Sequence, residues 1–353
     1  MNRRDFILAL APVATAPAAL ADSGTAWPTA QASGLGWPQA VMQGLLDDCE
    51  KLQPLRSLAV ASRGRLVAQH YFHGADATGL QSVNSATKGV CSLLVGRALA
   101  RGRLKDLSQT VGELLPQEAT QYPRSRVNAL TLRQILTGTS GMAYDIPNQM
   151  LAFMGARDPL AFAFALEPQS GPLSWSYNDA VVSLLSPILE HAYGAPLAEV
   201  ARQELFAPLS IDAFEWQKDR AGRAMAYAGL RMKTTDFLKI AHLAAAGGTW
   251  NGNQVVSREW LAQCTARQIG GAWPVAPVED SGYGFLWFTG RMQGRDVAWA
   301  WGYGGQFALA VPALELAVVT TATSPQFNLL NSQTASVMSI VSRLVEIAAS
   351  AKT

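Results

Sequence analysis

Apolar positions at Val41, Leu45, Leu46 and Cys49 recur at helical spacing, so residues 41–52 read as an amphipathic helix that ends before Pro54. The runs Ser57–Ser62 and Leu66–Phe72 flank Arg63-Gly64-Arg65 and read as two strands of a hairpin. Residues 22–35, rich in Gly, Ala, Ser and Thr, read as a mobile leader, and residues 74–82 as a polar loop. Gly89 to Ala100 is different in kind. It is apolar all round, with small residues and only Arg97 charged, which predicts a helix buried on nearly every side. From Gly102 to about Gly248 the pattern is that of helices and loops, with helical stretches at 132–136, 179–191, 197–205 and 235–246. Strand-like runs return at 282–288, 297–300, 307–311 and 316–321, and residues 331–350 read as a closing helix. Strands near both ends with helices between them predict an α/β (α+β) fold. One antiparallel sheet is built from both termini, flanked by N- and C-terminal helices, and carries an inserted all-α domain. The division read from the chain is 22–83 with 248–353 for the sheet domain and 84–247 for the mainly helical one; no internal repeat is visible.

Composition narrows the classes. The chain has 353 residues, 49% hydrophobic and 15% charged, with a formal net charge of +2, enough apolar content for a large core. A near-neutral balance without basic blocks points away from nucleic acid as a partner. The three cysteines, Cys49, Cys91 and Cys264, show no ligand spacing and no disulfide framework, and Cys91 falls inside the buried helix as packing. His70 and His73 are close in sequence but have no third ligand in view, so no metal and no cofactor is expected. The first residues, Met1-Asn-Arg-Arg-Asp-Phe6, lead into a short alanine-rich apolar stretch and Ala19-Leu20-Ala21, a small-x-small cleavage pattern. Residues 1–21 therefore read as a signal peptide of twin-arginine type, and the location expected is periplasmic or secreted. No other stretch reads as a membrane span, so stable membrane insertion is not expected.

Chemistry concentrates where the buried helix begins. Ser85-Ala86-Thr87-Lys88 opens it, with Asn84-Ser85 as the N-cap or first turn. Three residues along a helix share a face, which brings Lys88 against the Ser85 hydroxyl. Burial favours the neutral amine, so Lys88 would be a general base beside a nucleophile, and the helix N-terminus would offer an N–H to an oxyanion. Tyr177, in Gly171-Pro-Leu-Ser-Trp-Ser-Tyr177-Asn-Asp179, starts a helix after a Gly/Pro loop and can project its phenol into a cleft. Beside an ammonium its pKa is expected to fall, which suits a proton shuttle. Trp299-Ala-Trp-Gly302-Tyr303-Gly304-Gly305-Gln306 is a glycine cluster between two strands, where a ligand or backbone can approach closely.

Taken in order, Ser85-x-x-Lys88, Tyr177-x-Asp179 and the glycine-rich strand edge resemble the serine β-lactamase-related family. Its members include class C β-lactamases, D-alanyl-D-alanine peptidases, Ser-x-x-Lys esterases and aminohexanoate-oligomer hydrolases. Further stretches carry the resemblance: Leu130-Thr-Leu-Arg-Gln-Ile-Leu-Thr-Gly-Thr-Ser-Gly141-Met, Ala228-Gly-Leu-Arg231, Trp250-Asn-Gly-Asn and Tyr283-Gly-Phe-Leu-Trp287. It covers almost the whole chain after residue 21 and implies the β-lactamase/penicillin-binding-protein-like fold. It also implies catalysis by Ser85, Lys88 and Tyr177, with Tyr303, Gly304, Gly305, Gln306 and Asp179 as oxyanion or substrate-binding positions.

Two departures shape the expected activity. Asp179 stands where the family has asparagine; it can accept from Lys88 but cannot donate an amide N–H to a substrate. The strand motif at Gly302-Tyr303-Gly304, or one residue later, has no lysine or histidine to hold a substrate carboxylate, unless an arginine such as Arg231 or Arg291 supplies one. Neutral carboxylic esters or linear amides, small molecules, are the substrates this favours, in a cleft lined by Tyr303 with Trp299 or Trp301. The oxyanion would be held by the Ser85 N–H and a strand N–H near Gly305 or Gln306. A β-lactamase or D-alanyl-D-alanine carboxypeptidase remains the alternative, and a non-catalytic cell-wall peptide-binding protein the alternative of another class. The oligomeric state is open.

Overall fold

The computed structural model describes residues 27–171 and 173–351; the signal-peptide reading of residues 1–21 lies outside them. Arg63 and Gly64 both take positive φ (50° and 73°), the geometry of the two-residue turns that match strand twist. They join β1 (Leu55–Ser62) to β2 (Arg65–Tyr71). Two further strands, β12 (Gln306–Val311) and β13 (Leu316–Ala322), read as near-continuous apolar runs because they lie inside the sheet and are covered on both faces. Along the chain between these pairs come β3 (Gln81–Asn84), β4 (Phe214–Trp216), β5 (Leu230–Met232), β6 (Thr249–Trp250) and β7 (Asn253–Gln254). After them come β8 (Ile269–Gly270), β9 (Glu279–Tyr283), β10 (Phe288–Met292) and β11 (Arg295–Gly302).

The main sheet has eight antiparallel strands in the order β2-β1-β13-β12-β11-β10-β9-β8, so strands from the two ends of the chain pair as its second and third members, with Val60 opposite Val318. The helix Gln39–Lys51 packs with the closing helix Leu330–Ser350, which lies against β13. This is the expected sheet. A second, three-stranded sheet, β3-β5-β4, stands beside the buried helix Thr87–Ala100.

Several local readings are corrected. The polar segment before Ser85 ends in β3, because Gln81 to Asn84 find a distant partner in β5. The expected strand over 282–288 is two strands: Gly284 donates to Trp287 O (2.8 Å) and Leu286 takes φ +61°, so the chain turns where its apolar run continues. The expected helix 179–191 breaks at Leu184 into Asp179–Ser183 and Leu185–Tyr193. Within 84–247, β4 and β5 interrupt the helical text, and the helix Thr234–Ala245 packs on β13, β12 and β1 rather than among the other helices. Its Thr234 hydroxyl donates to Ser57, which is bonded to Thr321 (2.8 and 2.6 Å). Residues 27–35 are anchored: Trp27 packs edge-on against Trp250 and His242, and its indole N–H donates to Thr235 O (3.2 Å).

Candidate active site

The Thr87–Ala100 helix is buried along almost its whole length, and it can run so close to the sheet because Gly89 lacks a side chain. A Cβ there would lie 2.8 Å from Ala300 Cβ and 3.3 Å from the Trp287 ring. That contact presses the first turn of the helix, and Lys88 with it, against β11. Ser85 lies just before the helix, in the turn between β3 and Thr87. Asn84 takes φ +47°, a left-handed conformation that asparagine tolerates better than most residues. Thr87 locks the turn, donating to Asn84 O (2.6 Å) and accepting from Leu230 N–H (3.3 Å).

Lys88 is 3% exposed and its ammonium group is held from three sides. It donates to the Tyr177 hydroxyl (2.6 Å) and the Tyr227 carbonyl (2.8 Å), and Asp179 Oδ1 lies 2.7 Å away. The Ser85 hydroxyl lies beside Tyr177 and acts to lower its pKa. The contacts therefore run Ser85–Tyr177–Lys88–Asp179, with the phenol between nucleophile and amine. The expectation of a direct Ser85–Lys88 hydrogen bond changes accordingly: Ser85 precedes the helix, and Lys88 donates to Tyr177 and the Tyr227 carbonyl.

The expected fall in the Tyr177 pKa is reversed. Burial, and then the Asp179 carboxylate, push it well above the usual phenol value, more than Ser85 lowers it. Its resting form is the neutral phenol, which must pass a proton on as it accepts one. Beside it, Tyr144 has its hydroxyl buried without a partner; burial and Asp179 raise its pKa too.

The glycine-rich turn joins β11 to β12 and faces Ser85. A Cβ on Gly302 would stand 2.2 Å from Val83 O, so β11 ends in direct contact with β3. Asn84 Nδ2 donates to Tyr303 O (2.8 Å), tying the residue before the nucleophile to the turn. Every carbonyl of the turn is pinned from within: Tyr303 O also by Gln306 Nε2 (3.1 Å), Gly304 O by Gln333 (2.8 Å) and Gly305 O by Thr320 (2.8 Å). Of the strand donors expected near Gly305 or Gln306, the Gly305 N–H closes the turn onto Gly302 O (3.2 Å). The fully buried Gln306 side-chain amide clamps both the N–H and the C=O of Ala322 and so fixes the start of β12. Tyr303 is the turn residue nearest to Asn84 by contact.

An aromatic wall stands over Tyr177. Trp273, 40% exposed, stacks on the phenol ring (4.6 Å between centroids, 24° between planes). Trp175 meets Trp273 edge-on at 5.4 Å, and Trp301 meets it at 6.1 Å and 82°. Trp301 borders the site, whereas Trp299 is fully buried and stacked on Phe288. Neither expected substitute cation reaches the site. Arg231 is engaged by Glu215 and Leu80 O, and Arg291 by Gly294 O and Asp296. Sequence reading missed the Tyr227 contribution, which is a backbone carbonyl and leaves no side-chain signal. It also missed Trp273, whose signal was a lone indole in the Gly/Pro-bounded run Gly271-Ala-Trp-Pro274. Among the described residues no three His, Cys, Asp or Glu side chains gather as a metal site requires.

Comparison with known proteins gives the family and the fold. The Beta-lactamase family model matches residues 53–337. A monacolin J acid methylbutanoyltransferase from Aspergillus terreus is 29% identical over 149 residues, a match spanning 36% of this chain and only 35% of that protein. Among solved structures, a Bacillus anthracis protein provisionally described as a 6-aminohexanoate-dimer hydrolase superposes with a TM-score of 0.72 at 16% identity, covering 93% of this chain and 88% of that one. A penicillin-binding protein homologue from Caulobacter crescentus gives 0.65 at 17% identity, covering 89% and 98%. At these identities the superpositions speak for the fold.

Proposed function

From the premise that this chain belongs to the Beta-lactamase family and is a serine hydrolase of the β-lactamase-related kind, we propose that Ser85 forms an acyl-enzyme from neutral carboxylic esters or linear amides. The observation that carries the proposal is the Tyr177 hydroxyl, which accepts from Lys88 (2.6 Å) and has the Ser85 hydroxyl beside it. Lys88 acts in its amine form. The Ser85 proton passes to the Tyr177 oxygen as the phenolic proton passes to Lys88, while Oγ bonds to the substrate carbonyl carbon. The oxyanion is received by the N–H groups of Ser85 and Gln306. As the intermediate collapses, the bond to the leaving group breaks and the proton returns through Tyr177 to the departing oxygen or nitrogen. Water then attacks the acyl-enzyme through the same relay. The similarity to a methylbutanoyltransferase favours a second reading, in which an alcohol replaces that water and the acyl group is transferred.

The neutral-substrate preference rests on the engagement of Arg231 and Arg291 away from the site. Export belongs to the proposal as well and rests on Arg3-Arg4 and Ala19-Leu20-Ala21. The test is a fluorophosphonate probe followed by peptide mapping, with kcat/KM for p-nitrophenyl butyrate measured against nitrocefin. The adduct is expected on Ser85 and lost in Ser85→Ala, with the ester the better substrate. Labelling that survives Ser85→Ala overturns the nucleophile, and faster nitrocefin turnover overturns the substrate class.

A further inference from the structure

Trp273 sits on the segment between β8 and β9, between two buried residues of the same segment, Ala272 and Val275 (both 5% exposed). The segment is thus pinned on both sides of an indole that keeps 40% of its surface in solvent. This exposed indole is stacked at 4.6 Å on the phenol that accepts from Lys88. Trp301, reaching it from β11 at 82°, makes the second wall of an aromatic corner. Tyr177 is stacked on Trp273 and Trp175 also meets it edge-on, so its exposed part is framed by aromatic rings. A further ring laid there meets the offset or edge-on contacts that aromatic pairs prefer.

Which part of a substrate enters this corner follows from the proton relay. The group that protonates the leaving atom must stand within hydrogen-bond reach of it. Tyr177 delivers that proton, so the leaving group lies at the Tyr177 oxygen and its substituent extends along the phenol toward Trp273. The acyl group is bonded to Ser85 and stays behind. We propose that the Trp273–Trp301 corner is a leaving-group subsite for aromatic alcohols, making Trp273 a specificity-determining residue. This rests on the acyl-enzyme reading above. The substrate class becomes uncharged esters of arylmethyl or similarly flat apolar alcohols.

The experiment compares two acetates whose alcohols are similar in acidity, 2-naphthylmethyl acetate and ethyl acetate, in the wild type, Trp273→Ala and Trp273→Phe. The ratio of their kcat/KM values is expected to fall about tenfold in Trp273→Ala, roughly the worth of one aromatic contact, and to be partly kept in Trp273→Phe. A ratio unchanged in Trp273→Ala, or both substrates slowed by the same factor, overturns the subsite. In that second case Trp273 only props Tyr177. Calorimetric titration of 2-naphthylmethanol into the wild type and Trp273→Ala tests the corner without turnover. A Kd raised about tenfold supports it, and equal affinities overturn it. If neither ester is hydrolysed and Ser85 takes no fluorophosphonate, the acyl-enzyme reading fails while the titration still decides the corner.

Discussion

Gly302→Ala should disable the enzyme while leaving most of its stability intact. A Cβ at this position lies 2.2 Å from Val83 O, against the 3.0 Å that real Cβ contacts essentially never undercut, so at least 0.8 Å must be found. It also meets the Gln306 side chain at 2.8 and 2.9 Å. Neither neighbour yields easily. Val83 O accepts from Ala86 N–H (3.0 Å) in the turn that presents Ser85, and β3 is paired to β5. Gln306 is clamped to Ala322 (2.7 and 2.8 Å). The shift is therefore forced between the Ser85 turn and the start of β12, whose N–H groups must converge on one oxygen. A misplacement of about 1 Å costs about 100-fold in rate, roughly 2.7 kcal/mol of barrier. Overpacking costs about 1–3 kcal/mol of stability. The assay is kcat/KM for p-nitrophenyl butyrate beside a thermal melt, with Gly44→Ala as the control. Gly44 is in the middle of a helix with nothing within 4 Å of its Cβ, so alanine there should stabilise by about 0.5–1 kcal/mol. If folded Gly302→Ala keeps kcat within about threefold of wild type, the β3–β11 contact does not set the oxyanion geometry.

Asp179→Asn keeps the shape of the side chain but removes the carboxylate 2.7 Å from Lys88. Breaking a buried ion pair from one side costs about 3–5 kcal/mol, so Tm is expected to fall clearly, and an unchanged melt refutes the pairing. His242, buried behind Trp27, has its pKa lowered from 6.5 to about 4 by burial. A depressed value means that the stabilisation is full above pH 6.5 and is lost as pH falls toward 4. At pH 5 the loss is about 2 kcal/mol, read as a lower Tm at pH 5 than at pH 7 that His242→Phe should flatten. An equal pH dependence in the variant places the titrating group elsewhere.

Much of this protein was legible from local pattern. Helix and strand periodicity depend on neighbours a few residues away, so the Gln39–Lys51 helix, the β1–β2 hairpin and the closing helix were readable in order. The all-apolar run after Lys88 announced a helix buried on every side, and the spacing of Ser85, Lys88, Tyr177 and Asp179 named groups that the fold gathers. What only the tertiary structure decided are contacts between residues far apart in the chain. Lys88 faces Tyr177, 89 residues away, rather than Ser85 three residues before it, because a carbonyl at Tyr227 and the Asp179 carboxylate hold the ammonium there. The Tyr177 phenol was expected to lose its proton more easily and instead holds it, since local charge could be read from the chain but desolvation could not. Gln306 reads as a polar residue at a glycine-rich edge, yet its amide turns inward to clamp β13. The corner formed by Trp273 and Trp301 exists only because β8–β9 and β11 converge over Tyr177. Periodicity records which face of an element is buried, whereas the partner it is buried against is chosen by the packing of the whole chain.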